Sequence, residues 1–361
     1  MRFMVVDTWA KHATVERIGA HEVRYFSPLR YLGREMLATY PTADHIVSLH
    51  RRGNAALQAM LAEFLRAGSD FGAEGMVAHL NFFPPEWLVE HCDGFVRALG
   101  CIDDPHKTYS ATLPAVWAYH GAYYCSPSYS ATKRFADALA TFGVTHTHWF
   151  PLSFTRPTAE LVSAVEASWS ARRPHALYVG KCYGDKVDKL ARLDRGIGRR
   201  LNIYGKDWPL AGLAGFLAPL RGRAFMPKWV RPVDEQQRRQ LYLSSLIGFN
   251  THWGTGEETG NMRMYEVPMH GAMLLADKAG CDAHADIFEP DVEAVYYGSV
   301  EEAIDKCRYY FRHPQEAIAI AQRGFARARR DYAPEKVLGE LLDWAATLNR
   351  KARFATAPPP G

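Results

Sequence analysis

Long apolar runs are what this sequence most plainly lacks. Nowhere in its 361 residues do about 18 apolar residues follow one another, so no membrane-spanning helix is expected. The opening stretch MRFMVVDTW turns polar after a few residues. That is too short for the hydrophobic region of a secretory signal, and it reads instead as a buried first strand of a cytoplasmic protein. Cysteine is sparse and without pattern. Cys92, Cys101, Cys125, Cys182, Cys281 and Cys307 form no CxxC pair and match no zinc spacing, which leaves buried reduced thiols as the expectation. A strong charge bias is missing as well. A net charge of +4 is too small to make nucleic acid the main partner, although a local basic pocket for a diphosphate needs no more. No repeat with a period of roughly 20–50 residues is present. The only tract that reads as disordered is the tail Ala355–Gly361, with its three prolines.

What remains is an ordinary globular composition, 48% hydrophobic and 23% charged, on a chain too long for one core. Short apolar runs alternate with helical periodicity, which predicts α/β architecture with mostly parallel sheets. In the first half the strands are read at Arg2–Val6, Met76–Leu80, Ala98–Ile102, Ala122–Ser126 and Thr147–Phe150. Helices are read at Asn54–Ala67 and Ser130–Phe142. The pattern restarts after residues 155–174. Strands follow at His175–Val179, Leu201–Tyr204, Leu246–Asn250, Ala272–Ala276 and Ala294–Tyr297, and helices at Val300–Tyr310, Pro314–Arg330 and Pro334–Leu348. The expected division is residues 1–160, residues 170–345, and a helix end with a flexible tail at 346–361.

Three stretches carry chemistry. In GEETGNMRMYEVPMHG, residues 256–271, Glu258 and Glu266 are separated by seven residues. Gly254, Gly256 and Gly260 let backbone approach a ligand closely, and Asn261 is placed to cap a helix that opens with Met262 and Arg263. Amides there suit an anion, and a carboxylate at Glu266 suits the two hydroxyls of a ribose. In VGKCYGDK, residues 179–186, a strand closes on Gly180, and Lys181 and Lys186 follow where open α/β sheets bind ligands. Lysines there can neutralise a leaving diphosphate. In GCIDDPHKTY, residues 100–109, Asp103 and Asp104 at a strand end serve either as a helix cap or as a general base. His120 is a further base candidate, and Tyr183, Tyr204, Trp208 and Trp253 are candidates to stack on a base or sugar.

The ordered set LYVGKCYGDK, LNIYGKDW, LYLSSLIGFNTHW, GNMRMYEVPMHGAMLL and YGSVEEAIDKCRYYFRHPQEAIAIAQRG, from about residue 176 to 345, resembles the nucleotide-binding domain of GT-B glycosyltransferases. It is most similar to the group 1 branch related to spore-maturation glycosyltransferase-like proteins. The resemblance implies two Rossmann-like domains facing across a cleft that closes on the donor. The donor would be a nucleoside diphosphate sugar, with no other cofactor. It implies that Glu258 faces the donor sugar, that Glu266 holds the ribose, and that Lys181 and Lys186 bind the diphosphate. The pair of glutamates, spaced as in retaining family-4 enzymes, leans towards retention. If configuration is inverted, Asp103, Asp104 or His120 would deprotonate the acceptor. No metal is expected, since no Asp-x-Asp triplet occurs. The acceptor stays open among glycan, lipid-linked, protein and secondary-metabolite classes. A sugar-nucleotide epimerase, a phosphorylase or a non-catalytic nucleotide-sugar-binding protein on the same fold are the alternatives. The first half resembles the branch in CIDDP and in the strand before Pro151. VVDTWAKH lacks the glycine-rich loop that many GT-B enzymes carry after the first strand.

Overall fold

The computed structural model describes residues 1–7, 12–33, 36, 42–101, 108–125, 136–181, 185–206, 208, 230–252, 261–278 and 287–348. The chain divides into two compact units. One comprises Met1–Pro151 and the chain from Glu335, and the other Leu152–Pro334.

The first unit is built on a seven-stranded sheet of order β2-β3-β1-β4-β5-β6-β7. These strands are β1 (Arg2–Val6), β2 (Val15–Ile18), β3 (His21–Phe26), β4 (Gly75–Ala78), β5 (Val96–Cys101), β6 (Gly121–Tyr124) and β7 (Thr147–Trp149). All pairings are parallel except the β2–β3 hairpin. Strands β4 and β5 are buried along their whole length, as interior parallel strands covered on both faces must be. Helices α1 (Leu29–Leu32), α2 (Ala43–Arg51), α3 (Ala55–Phe71), α4 (Pro85–His91) and α5 (Leu113–Val116) accompany them. Helix α3 starts at Asn54, whose Oδ1 accepts the Leu57 amide at 3.0 Å. Its Leu57, Leu61 and Phe64 enter a core with Met4, Val6 and Phe83. The strands read from sequence all appear, with ends shifted by up to two residues. The β2–β3 hairpin was not expected. The helix expected at Ser130–Phe142 begins outside the described residues.

The second unit carries a five-stranded, fully parallel sheet of order β12-β11-β10-β8-β9. Its strands are β8 (Arg173–Val179), β9 (Leu201–Tyr204), β10 (Ser245–Asn250), β11 (Met273–Asp277) and β12 (Val295–Tyr297). Its helices are α6 (Ala159–Ser168), α7 (Lys186–Gly196), α8 (Glu235–Ser244), α9 (Arg263–Met269), α10 (Val300–Arg312) and α11 (Pro314–Asp331). The last helix, α12 (Pro334–Thr347), packs into the first unit. There Asp343 Oδ1 meets His21 Nε2 at 2.8 Å, and Trp344 stacks on His148 with ring centroids 5.3 Å apart. Among the described residues, no helix is long and apolar enough to cross a membrane.

Both sheets contain a point where the chain leaves a strand to one side and returns on the other. In the second unit β9 flanks β8 on one side and β10 on the other. In the first, β3 and β4 flank β1 in the same way. Such switch points open a crevice at the carboxyl ends of the two central strands, and ligands of open α/β sheets bind there.

Candidate functional site

At the switch point of the second unit, Gly180 follows β8 directly and donates its amide to the Tyr204 carbonyl at the end of β9, at 2.9 Å. The Trp208 indole donates to the Gly180 carbonyl at 2.8 Å. Arg263, the first residue of α9, reaches across the crevice. Its Nε donates to Asn250 Oδ1 at 2.9 Å, Nη1 to the Val179 carbonyl at 3.1 Å and Nη2 to the Thr251 carbonyl at 3.3 Å. The guanidinium also stands 4.6 Å over the Tyr178 ring, a cation–π contact. One side chain thus ties the carboxyl ends of β8 and β10 to the start of α9. Asn250 Nδ2 is fully buried and has no partner among the described residues. Leaving a donor so costs about 1–3 kcal/mol.

Asn261 Oδ1 accepts the Arg263 amide at 3.1 Å, but the N-cap of α9 is Met262, which makes no side-chain cap hydrogen bond. Met262 beside it is exposed. Helix α9 has only seven residues, so its dipole is short and the side chains around it carry most of the electrostatics. Glu266 lies in its first turn, 7% exposed. Oε1 takes the Arg238 guanidinium at 2.9 Å and Oε2 accepts from the Tyr242 hydroxyl at 3.2 Å. Burial raises the Glu266 carboxyl above its usual value, and Arg238, Tyr242 and Arg263 act against that rise. Beneath it, His270 donates from Nδ1 to the Glu266 carbonyl at 2.8 Å and stacks on Tyr242, while burial pushes its pKa down to about 4.

Lys181 is exposed just past β8, whereas Lys186 is the first residue of α7 and only 4% exposed. At the end of β11, Asp277 accepts the His252 backbone amide and its imidazole, the latter at 2.6 Å. Burial alone would raise the Asp277 carboxyl, but His252 outweighs it and holds the group below its ordinary value.

Of the residues singled out from sequence, Gly180, Lys181, Tyr204, Asn261 and Arg263 meet at this edge, with Lys186, Met262 and Glu266 on the helices that open from it. Trp208 joins them through Gly180. His120 does not. It is half-buried just before β6, at the amino-terminal edge of the first sheet, and its Nδ1 accepts the Arg97 amide at 3.0 Å. Asp103, Asp104, Tyr183, Trp253, Gly254, Gly256, Glu258 and Gly260 lie outside the described residues. Sequence reasoning missed Arg238, Tyr242, Asn250 and, in the first unit, His79. His79 directly follows β4 at the switch point of its sheet. Its Nδ1 is 2.6 Å from the Tyr123 hydroxyl, and burial pushes its pKa down while Asp7, just past β1, pulls it up.

Comparison with known proteins bears on what this edge does. Residues 186–343 match the family described as glycosyl transferase-like. No curated protein sequence matches the chain. Solved structures do. HepE of Anabaena, crystallised with UDP and glucose, aligns at a TM-score of 0.56 and 11% identity over 96% of this chain and 100% of its own. Sucrose-phosphate synthase of Thermosynechococcus elongatus aligns at 0.58 and 12%, over 96% and 89%. The α,α-trehalose 6-phosphate synthase of Burkholderia multivorans aligns at 0.56 and 11%, over 93% and 88%. The chain has the GT-B glycosyltransferase fold. Within that fold, the edge built by Gly180, Arg263 and Glu266 belongs to the second Rossmann-like unit.

Proposed function

We propose that this protein is a glycosyltransferase that moves a sugar from a nucleoside diphosphate sugar to an acceptor, with its donor nucleotide held at the carboxyl edge of the second sheet. One observation carries the reading: at that switch point Gly180, Lys181 and Arg263 converge, and Glu266 stands in the first turn of the adjoining helix. Structural relatives crystallised with UDP and glucose support a sugar nucleotide as donor. Glu266 accepts the ribose diol, since a carboxylate offers two oxygens to two vicinal hydroxyls. Lys181 and Lys186 stabilise the diphosphate as it leaves. The placement of Lys186 supports this. Lys186 is buried at the first position of α7, the helix that follows the carboxyl end of β8. Glu258 faces the donor sugar, Gly256 and Gly260 shape its loop, and the pair of glutamates favours retention. If configuration is inverted, Asp104 remains a base candidate, and His79 replaces His120, which faces the wrong edge.

The test is incubation of the protein with UDP-, GDP-, ADP-, CDP- and dTDP-sugars, following nucleoside diphosphate release by coupled assay. One donor class should be hydrolysed slowly without acceptor, and Lys181→Ala should slow that release at least tenfold. A chain that binds no nucleoside diphosphate by titration calorimetry would falsify the reading.

A further inference from the structure

We infer that Arg238 is a positioning residue for Glu266: its charge holds one carboxylate oxygen from the solvent side while the Tyr242 hydroxyl holds the other from the core, so that both oxygens are aimed at a diol. The inference rests on the reading of Glu266 as the ribose ligand.

Geometry supplies the argument. Helix α8 ends at Ser244 and β10 begins at Ser245, so α8 runs antiparallel to the strand and its first turns lie at the carboxyl edge. Helix α9 leaves that same edge. Arg238 of α8 and Glu266 of α9 therefore face each other at the site, 2.9 Å apart, with Tyr242 one helical turn deeper at 3.2 Å. A carboxylate has about four acceptor sites, two per oxygen. Arg238 lies against Oε1 as an ion pair, and Tyr242 donates to Oε2. Each oxygen keeps an acceptor site, which is what two vicinal hydroxyls need. The Arg238 side chain is 35% exposed and that of Glu266 9%, so the guanidinium lies on the solvent side of the carboxylate.

Arg238 has a second task, set by the charges around the carboxylate. From α8, Arg238 and Tyr242 favour the ionised form, and Glu235 opposes it. From α9 itself Arg263 favours it, and buried His270 sits one turn away. Arg172, ahead of β8, is spent on backbone carbonyls, His270 among them at 2.7 Å. Burial already raises the Glu266 carboxyl, so removing the nearest cation lets it protonate as pH falls through the working range. A protonated carboxyl has lost an acceptor and cannot take both hydroxyls.

The experiment compares wild type, Arg238→Gln and Arg238→Lys from pH 5 to 8.5 by calorimetry. The probes are UDP, GDP, ADP and CDP, each beside its 2′,3′-dideoxy counterpart. Wild type should prefer the diol-bearing form at least tenfold at every pH. Arg238→Gln should bind the dideoxy form as wild type does, which also certifies its fold. It should lose the diol preference progressively towards pH 5, and Arg238→Lys should restore most of it. An Arg238→Gln protein whose preference matches wild type at both pH 5 and pH 8 overturns the inference alone. A wild type that ignores the diol overturns the assignment of Glu266 to ribose, and this inference with it.

Discussion

At Gly180 the missing side chain matters more than any side chain nearby. A Cβ there would run into the Arg263 guanidinium and lie 3.0 Å from the Tyr178 hydroxyl. The glycine is required by the close approach of the arginine. Gly180→Ala should cost about 1–3 kcal/mol, as overpacking does in a fitted site. In an Arg263→Ala background the same change should cost far less. A double-mutant cycle by urea unfolding reads the coupling directly, and additive losses would disprove the contact. Gly205 is constrained differently. Its φ of 151° lies in the region that favours glycine, and a Cβ would strike the Gly180 carbonyl, so Gly205→Ala has no cheap relief. His270 offers a pH test. Its pKa is lowered by burial to about 4 from 6.5, so the neutral form belongs to the folded state. Below pH 6.5 the unfolded chain takes up a proton that the folded one refuses, and stability falls until about pH 4. The shift is on the order of 3 kcal/mol over that window. Glu266, raised in the fold, pulls the other way at the acid end of the window. His270→Gln should flatten the fall between pH 6.5 and 5; an unchanged slope would refute the assignment. Lys181 stood out in the sequence because it follows a strand end and a glycine, Lys186 because it comes five residues later, and Glu266 because of its spacing from Glu258. Arg238 and Tyr242 did not, because they stand 28 and 24 residues before Glu266, and only the pairing of β10 with its neighbours makes α8 face α9.

Among elements, strands that are continuous apolar runs announce themselves and strands of mixed polarity do not. RFMVV and LIGFN are continuous apolar runs because both faces are covered. VERI and HEVRYF mix charged and apolar residues because β2 is an edge strand and β3 its antiparallel partner, with outward positions that meet water. A half-exposed hairpin of this kind reads as loop. Helix α12 raises a different difficulty. Its periodicity is plain in the sequence, but periodicity gives the buried stripe and not the surface it is buried against. Leu341, Leu342 and Ala345 are wholly buried, and Gly121 of β6 lies against Trp344 and Leu348. The helix follows α11 of the second unit with two residues between them, yet its energy is spent in the first. Leu342→Ala should therefore destabilise the protein by about 2–5 kcal/mol. Peptide-resolved hydrogen exchange should show the opening in β6 and β7 and leave β10 and β11 protected. Opening confined to β10 and β11 would contradict the docking seen here.

For the whole molecule, the two sheets repeat one plan, a central pair of parallel strands with the chain turning away on either side, and among the described residues it is the second that carries the glycine, lysine and arginine set. A ligand that binds the folded chain and not the unfolded one stabilises it by mass action, by about 2.7 kcal/mol at a hundredfold excess over its Kd. For a unit of this size that is an apparent Tm rise of about 5–10 °C. The rise should follow a nucleoside diphosphate more closely than a nucleoside monophosphate if, as proposed, Lys181 and Lys186 answer to the second phosphate. It should also shrink with added salt, since Lys181 is exposed and its attraction is screened within about 8–10 Å at moderate ionic strength. Hydrogen exchange on the saturated protein should protect the peptides spanning β8 to the start of α7 and those of α9, where the backbone lines the crevice. Glu266→Gln should remove most of the rise and of the α9 protection together, because one carboxylate supplies both. If the rise survives that change while α9 protection disappears, the nucleotide is held elsewhere on this edge, and Glu266 serves the helix and not the ribose.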